Sequence, residues 1–209
     1  MLAWWKNNKQ VANGLLGIEI GPEGIALAHV QRSPGQPVQL RHCLFRPGTP
    51  EQQPELLKGL VAELGLAGMP VNFVLHPALY QMLLLDCPDV PADELRDALR
   101  WRIKDLISEP LEQVQVDAFA LPEDAYRGRS RMAYCAVLGK SHLAGWKALL
   151  KHAGLRLQSI DVTEMAFRNL GLQAGAEGLN LGLLRLRSSE GLICIQQGAD
   201  LYMARRIEQ

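Results

Sequence analysis

Apolar positions early in the chain come in short runs, at 15–20, 24–31 and 38–46, separated by Gly21-Pro22 and by the cluster Ser33-Pro34-Gly35-Gln36-Pro37. Runs this short, bounded by turn formers, predict a three-stranded antiparallel meander. At 54–64 the spacing changes. Leu56, Leu57, Leu60, Val61 and Leu64 recur at helical intervals on one face, and Gly65 is suited to end that helix because it accepts a left-handed backbone. A buried-strand pattern follows at 71–76, so the first part of the chain reads β-β-β-α-β.

The next run, 81–86, predicts another strand. A helix is expected to start at Pro91, with Asp93 and Glu94 complementing the dipole in its first turn and Leu95, Leu99, Ile103 and Leu106 forming its buried stripe. Strands are expected at 114–121 and 132–138, joined by a polar loop containing Arg127-Gly128-Arg129. Ser141 is a suitable N-cap for a helix carrying Leu143, Trp146, Leu149 and Leu150 and ending at Gly154. A strand at 156–161 and a short helix capped by Thr163 and running through Leu170 lead into three further strands, at 179–186, 191–196 and 201–207. A β-β-β block thus opens the chain and another closes it, as in a duplicated fold whose second half is cut short.

Composition narrows the function classes. Lys plus Arg and Asp plus Glu both number 22, so no net field draws in nucleic acid, and a nucleic-acid function is not expected. Cys43, Cys87, Cys135 and Cys194 form no CxxC pair and read as buried small hydrophobes in a reducing compartment. No segment approaches the roughly 20 apolar residues that span a bilayer, and no secretory signal is evident. Trp4 and Trp5 beside Lys6 and Lys9 suit either a membrane surface or a tail packed on its own domain. The histidines His29, His42, His76, His142 and His152 make no metal-ligand spacing, and no GxSxG elbow marks a hydrolase, so no metal is expected and no catalytic residue is assigned.

Two hairpins stand at places where the actin, Hsp70 and sugar-kinase superfold holds phosphate: Gly17-Ile18-Glu19-Ile20-Gly21, and Leu184-Arg185-Leu186-Arg187-Ser188-Ser189. More specific is the stretch from Val90-Pro91-Ala92-Asp93-Glu94-Leu95 through Ala98-Leu99-Arg100-Trp101-Arg102-Ile103-Lys104-Asp105-Leu106 to Pro110-Leu111-Glu112. It resembles the inserted subdomain of the PilM family of pilus assembly proteins, to which the type II secretion protein GspL is related. The resemblance extends over nearly the whole chain. It implies an α/β, actin-like ATPase (ribonuclease H-like) fold with a small α/β insertion and a truncated or degenerate second half. The expected divisions are 1–78 for the first actin-like subdomain, 79–161 for the insertion, and 162–209 for the return to the core. It further implies a cytoplasmic scaffold of pilus biogenesis, peripheral at the inner membrane. The implied partners are the N-terminal cytoplasmic tail of a PilN-like inner-membrane protein, held in a groove beside the insertion, and the assembly motor ATPase.

The resemblance also places vestigial phosphate contacts at Gly17, Glu19, Gly21, Arg185, Arg187 and Ser188. Mg²⁺ needs tightly placed oxygen ligands, and a phosphate needs close backbone donors. Glu19 stands where nucleotide-binding relatives have Asp, and it reads either as a metal contact through water or as a strand-end charge. Arg185 and Arg187 stand where an Asp and a Gly belong; arginine cannot ligate Mg²⁺, and its bulk blocks the approach that glycine permits. The chain is therefore expected to bind ATP and Mg²⁺ weakly or not at all and to be a pseudo-ATPase. The alternative is a nucleotide-gated ATPase switch in the same machine, and a third reading is a sugar-kinase-like enzyme. Arg100, Trp101, Lys104 and Pro110 are the candidate partner-binding residues. Trp101 lies off the core stripe of its helix, free for a partner or for packing between subdomains. The runs at 81–85 and 132–138 offer sheet edges for an extended peptide.

Overall fold

In strand β1 (Leu15–Gly21), Leu16, Ile18 and Ile20 are buried, which turns Gly17, Glu19 and Gly21 to the opposite face. The computed structural model describes residues 14–126, 128, 130–173, 178–187 and 190–208. Strands β2 (Gly24–Gln31) and β3 (Gln39–Pro47) continue from β1 as the expected antiparallel meander. Gly24 is obligatory at its entry: its φ is +153°, and an added Cβ would lie 2.2 Å from the carbonyl oxygen of Arg46. Helix α1 (Gln53–Glu63) buries Leu57, Leu60 and Val61, and β4 (Pro70–Leu75) then pairs parallel to β1.

By its contacts the chain forms two units, residues 1–76 with 144–161, and residues 77–143 with 162–209. The first unit holds the five-stranded sheet β3-β2-β1-β4-β8, where β8 is Arg156–Val162. Its buried Phe73 packs on Trp146 of α3 (Lys140–His152), with ring centroids 5.5 Å apart.

The second unit contains two three-stranded sheets. One has the order β5-β7-β6, built from Gln81–Asp86, Met132–Gly139 and Val114–Ala120. The period of two along β7 divides its side chains between two cores. Ala133, Cys135 and Val137 join Leu95, Leu99 and Ile103 of the helical segment that covers one face. Met132 and Tyr134 face Leu192, Cys194 and Leu201, which belong to the second sheet, β9 (Asn180–Leu186), β10 (Glu190–Gln197) and β11 (Asp200–Glu208). Helix α4 (Thr163–Gln173) adds Met165 and Phe167 to that core.

Four local expectations are corrected. The run at 132–138 offers no sheet edge, because β7 is the central strand of its sheet and is paired on both sides. Helix α2 spans Leu95–Arg102 and does not start at Pro91; residues 91–94 form a turn closed by the Glu94 amide on the Pro91 carbonyl, 3.0 Å, and only from Glu94 onward do helical bonds continue. The helix ends at Arg102 with Ile103 as its C-cap, so Leu106 leaves the stripe and is 54% exposed. Ser141 lies inside the first turn of α3, because β7 passes directly into that helix and leaves no loop residue to cap it. The loop arginines Arg127 and Arg129 and the N-terminal tryptophans lie outside the described residues.

Leu99 is fully buried between α2 and its sheet. Leu99→Ala is expected to destabilise the second unit by about 2–5 kcal/mol through lost contacts and a residual cavity. Urea unfolding followed by circular dichroism measures it, and a change below about 1 kcal/mol would contradict this packing.

Candidate functional site

The first hairpin tip is built by β1, β2 and the start of α1. On its outward face Glu19 is half-buried, and its register neighbours are Ala26 on β2 and Val74 on β4. Gly17 neighbours Ala28 and Asn72, and a Cβ on it would meet nothing within 4 Å. Small residues thus leave room around one carboxylate. Gly21 is there for a different reason: a Cβ would come within 2.7 Å of the His76 imidazole, and its carbonyl accepts a 2.7 Å hydrogen bond from Gln53 Nε2. Gln53 and His76 are buried polar groups at the tip that no sequence motif marks. Their link to Gly21 is non-local, and no periodic pattern marks it.

The second hairpin tip joins β9 to β10. Arg185 points inward and its Nη2 donates to Glu190 Oε1 at 3.0 Å; Arg187 Nη1 lies 3.9 Å from the same oxygen. Ser188 is outside the described residues. Two guanidinium groups therefore surround the carboxylate nearest the tip. This arrangement does not fit a Mg²⁺-bound phosphate, because the arginines cannot ligate the metal and already occupy Glu190. Among the described residues no group of three or more His, Cys, Asp or Glu is placed to hold a metal. The strand register does bring His29 and His42 together, with ring centroids 5.6 Å apart. Burial, then His42, then Arg41 lowers the His29 pKa, so the ring favours its neutral form.

The proposed partner residues separate by role. Arg100 Nη2 donates to the Leu111 carbonyl at 2.6 Å and so fastens α2 to the turn that precedes β6. Trp101 is 73% exposed on the same helix, while Lys104 and Pro110 are exposed beyond its end. On the face of the β5-β7-β6 sheet away from α2, the second unit has a cavity of about 450 Å³ lined by Met82, Leu84, Tyr126, Tyr134, Glu164 and Arg206.

Below that cavity lies a buried network. Glu164 accepts a hydrogen bond from the Tyr80 hydroxyl through Oε2 and bonds from Arg206 Nε and Nη2 through Oε1 at 3.2 and 3.1 Å. Arg206 also donates to the Pro77 carbonyl at 2.7 Å, and its guanidinium carbon lies 4.5 Å from the Tyr80 ring centroid. Burial and the adjacent Glu164 carboxylate push the Tyr80 pKa well above the ordinary phenol value, which keeps the hydroxyl a donor.

The thiols divide in the same way. Cys135 and Cys194 are buried, and burial pushes their pKa values up to about 11 and about 12. Cys43 departs from the buried-cysteine expectation: it is exposed, because it lies on the outward face of an edge strand. Cys87 is half-buried, and all four thiols are free.

No protein-family model and no curated protein matches the sequence. Solved structures do. A chain described as the PilM-PilN type IV pilus biogenesis complex superposes with a TM-score of 0.74 at 21% identity over 95% of this chain and 62% of that one. The present chain therefore spans less than two thirds of that neighbour's length. The cytoplasmic domain of EpsL, an inner-membrane component of the type II secretion system of Vibrio cholerae, gives 0.63 at 13% identity, covering 93% of this chain and 71% of that one. A Bacteroides thetaiotaomicron protein with an actin-like ATPase fold and unknown function gives 0.54 at 11% identity, covering 94% and 70%. The expected α/β, actin-like fold is therefore present; identities this low carry the fold alone. No helix among the described residues is long and apolar enough to cross a membrane.

Two measurements check this local chemistry. In native protein at pH 8, Cys43 is expected to react rapidly with a colorimetric disulfide reagent, while Cys135 and Cys194 react only after unfolding. Rapid loss of all four thiols would contradict the burial. Glu164→Gln is expected to cost about 3 kcal/mol by leaving Arg206 without its buried counter-charge. Arg206→Met in the same background should recover part of that loss in a urea double-mutant cycle, and strict additivity would contradict the pairing.

Proposed function

We propose that this chain is a scaffold of a type IV pilus assembly machine, and that it docks the cytoplasmic tail of an inner-membrane partner without needing nucleotide chemistry. The supporting observation is the fold likeness over 95% of the chain to a structure described as the PilM-PilN type IV pilus biogenesis complex. The likeness to a cytoplasmic domain of a type II secretion component points to the same class of machine. A finer placing belongs to this proposal: residues 90–112 resemble most the mannose-sensitive haemagglutinin pilus protein MshI, which favours a pilus of that type.

The partner in this reading is the N-terminal tail of a PilN-like protein. A docking surface of this kind works through a few apolar anchors surrounded by polar contacts. Trp101, 73% exposed beside Lys104 and Pro110, has the form of such an anchor. The assembly motor ATPase is a further partner, and the working place is the cytoplasmic face of the inner membrane.

Arg185 and Arg187 gathered on Glu190 support a degenerate nucleotide site. The second reading, a nucleotide-gated switch, rests on Glu19, which keeps one carboxylate over the small residues of β1 and β2. Calorimetry separates the two. The scaffold reading expects no heat from millimolar Mg-ATP, saturable binding of a synthetic PilN-like tail peptide, and at least a tenfold loss of that binding in Trp101→Ala, equivalent to about 1.4 kcal/mol. Micromolar Mg-ATP binding abolished by Glu19→Ala would establish the switch instead.

A further inference from the structure

Strand β3 is weakly anchored in the first sheet. It pairs only with β2, and none of its residues is buried. On its inward side three half-buried residues, His42, Leu44 and Arg46, stand opposite His29, Leu27 and Ile25 of β2. Leu27 and Ile25 are buried, so two of these contacts rest on the core. The third is a pair of imidazoles, with 5.6 Å between centroids and 18° between planes. A bulge after His29 interrupts the ladder at the same place.

The surroundings of this pair suit neutral rings. Nδ1 of His29 is buried and has no hydrogen-bond partner. A neutral imidazole can leave that nitrogen without a proton, whereas an imidazolium must place an N–H there with nothing to receive it. No opposite charge compensates. Beside His29, β1 supplies Gly14 and Leu16, and Met69 of the turn before β4 closes on Gly14. Helix α1 buries Leu57, Leu60 and Val61, and its Glu63 is 3.4 Å from Arg46 at the other end of β3. Arg41 donates to Gln31 Oε1 at 2.6 Å, a neutral partner that leaves its charge in place. Burial first, and then the positive charges of His42 and Arg41, therefore disfavour the imidazolium of His29. A histidine held neutral in the sheet, and titrating near ~6.5 once released, gives stability that is whole above ~6.5 and is lost as the pH falls below it.

We propose that the His29–His42 pair is an acid-sensitive latch on the edge strand: neutral rings stack and hold β3 on β2, and protonation turns the stack into like charges beside Arg41 and frees β3. Opening bares the ladder edge of β2 while the buried residues of β1, β2 and β4 keep the rest of the sheet in place. The device lies within the first unit and does not depend on the tail-docking reading.

The test is amide hydrogen exchange of the full chain at pH 7.5 and pH 5.5, corrected for the intrinsic pH dependence of exchange. Protection over residues 39–47 should fall at least about fivefold at the lower pH while residues 15–21 change less than about twofold. His42→Phe keeps a ring for the stack but takes no proton, and should remove most of that fall. His42→Lys carries its charge throughout and should show the open strand already at pH 7.5. Circular dichroism checks that each variant folds; should His42→Phe fail to fold, His42→Gln takes its place. Equal protection of residues 39–47 at the two pH values would overturn the proposal. So would an equal loss over residues 15–21, which is acid unfolding of the whole sheet, or an undiminished fall in His42→Phe, which assigns the sensitivity to other groups.

Discussion

Glu164 is a carboxylate with 1% of its surface exposed, and it is tolerated because both of its oxygens accept hydrogen bonds, one from Tyr80 and the other from Arg206. Burying a charge without partners costs several kcal/mol, so the position imposes conditions on three distant parts of the chain at once. Tyr80 must bring its hydroxyl from the start of the second unit. Arg206 must reach in from the last strand. The first turn of α4 must present the carboxylate, where the Thr163 amide also donates to the Tyr80 oxygen at 3.1 Å. A tyrosine hydroxyl repeats the device on the neighbouring strand: Tyr134 accepts from the Ala204 amide at 3.0 Å and donates to its carbonyl at 2.9 Å, satisfying β11 on the side away from β10. The closing strand is thus held by directed polar bonds as well as by Leu192, Cys194 and Leu201.

Much of this architecture was legible in the sequence, because strands with one buried face write their period into the chain. The meander of β1 to β3 and the alternation in β9 to β11 follow directly from it. Pro91, Asp93 and Glu94 carry the statistical signature of a helix N-terminus, yet the backbone makes a turn first, so the pattern places the start of α2 too early. Leu106 fits the stripe by spacing, because no Gly or Pro between Arg102 and Ser108 announces that the helix stops. The approach of His76 to Gly21 and the pairing of His29 with His42 depend on strand register, including a bulge after His29, which composition does not encode.

The two hairpin tips differ in the room and charge they present. At the first, the space remains: Gly17 meets nothing, and a carboxylate is retained at Glu19. At the second, the space has been given to an internal ion cluster, in which Glu190 stabilises two arginines. Both guanidinium groups are turned to Glu190, and neither can serve as a ligand for Mg²⁺. The arginines at 185 and 187 are legible in the sequence; Glu190, the partner across the hairpin, is not, because the pairing depends on strand register.

The position of Cys43 has a practical corollary. It stands outward on an edge strand of the first unit, whereas Cys135 and Cys194 lie in the interior of the second and Cys87 is half-covered. Selective alkylation at neutral pH would therefore place a fluorophore or spin label on one unit without any engineered residue. The natural sequence already carries the attachment point from which distances and motions of that unit can be followed in solution.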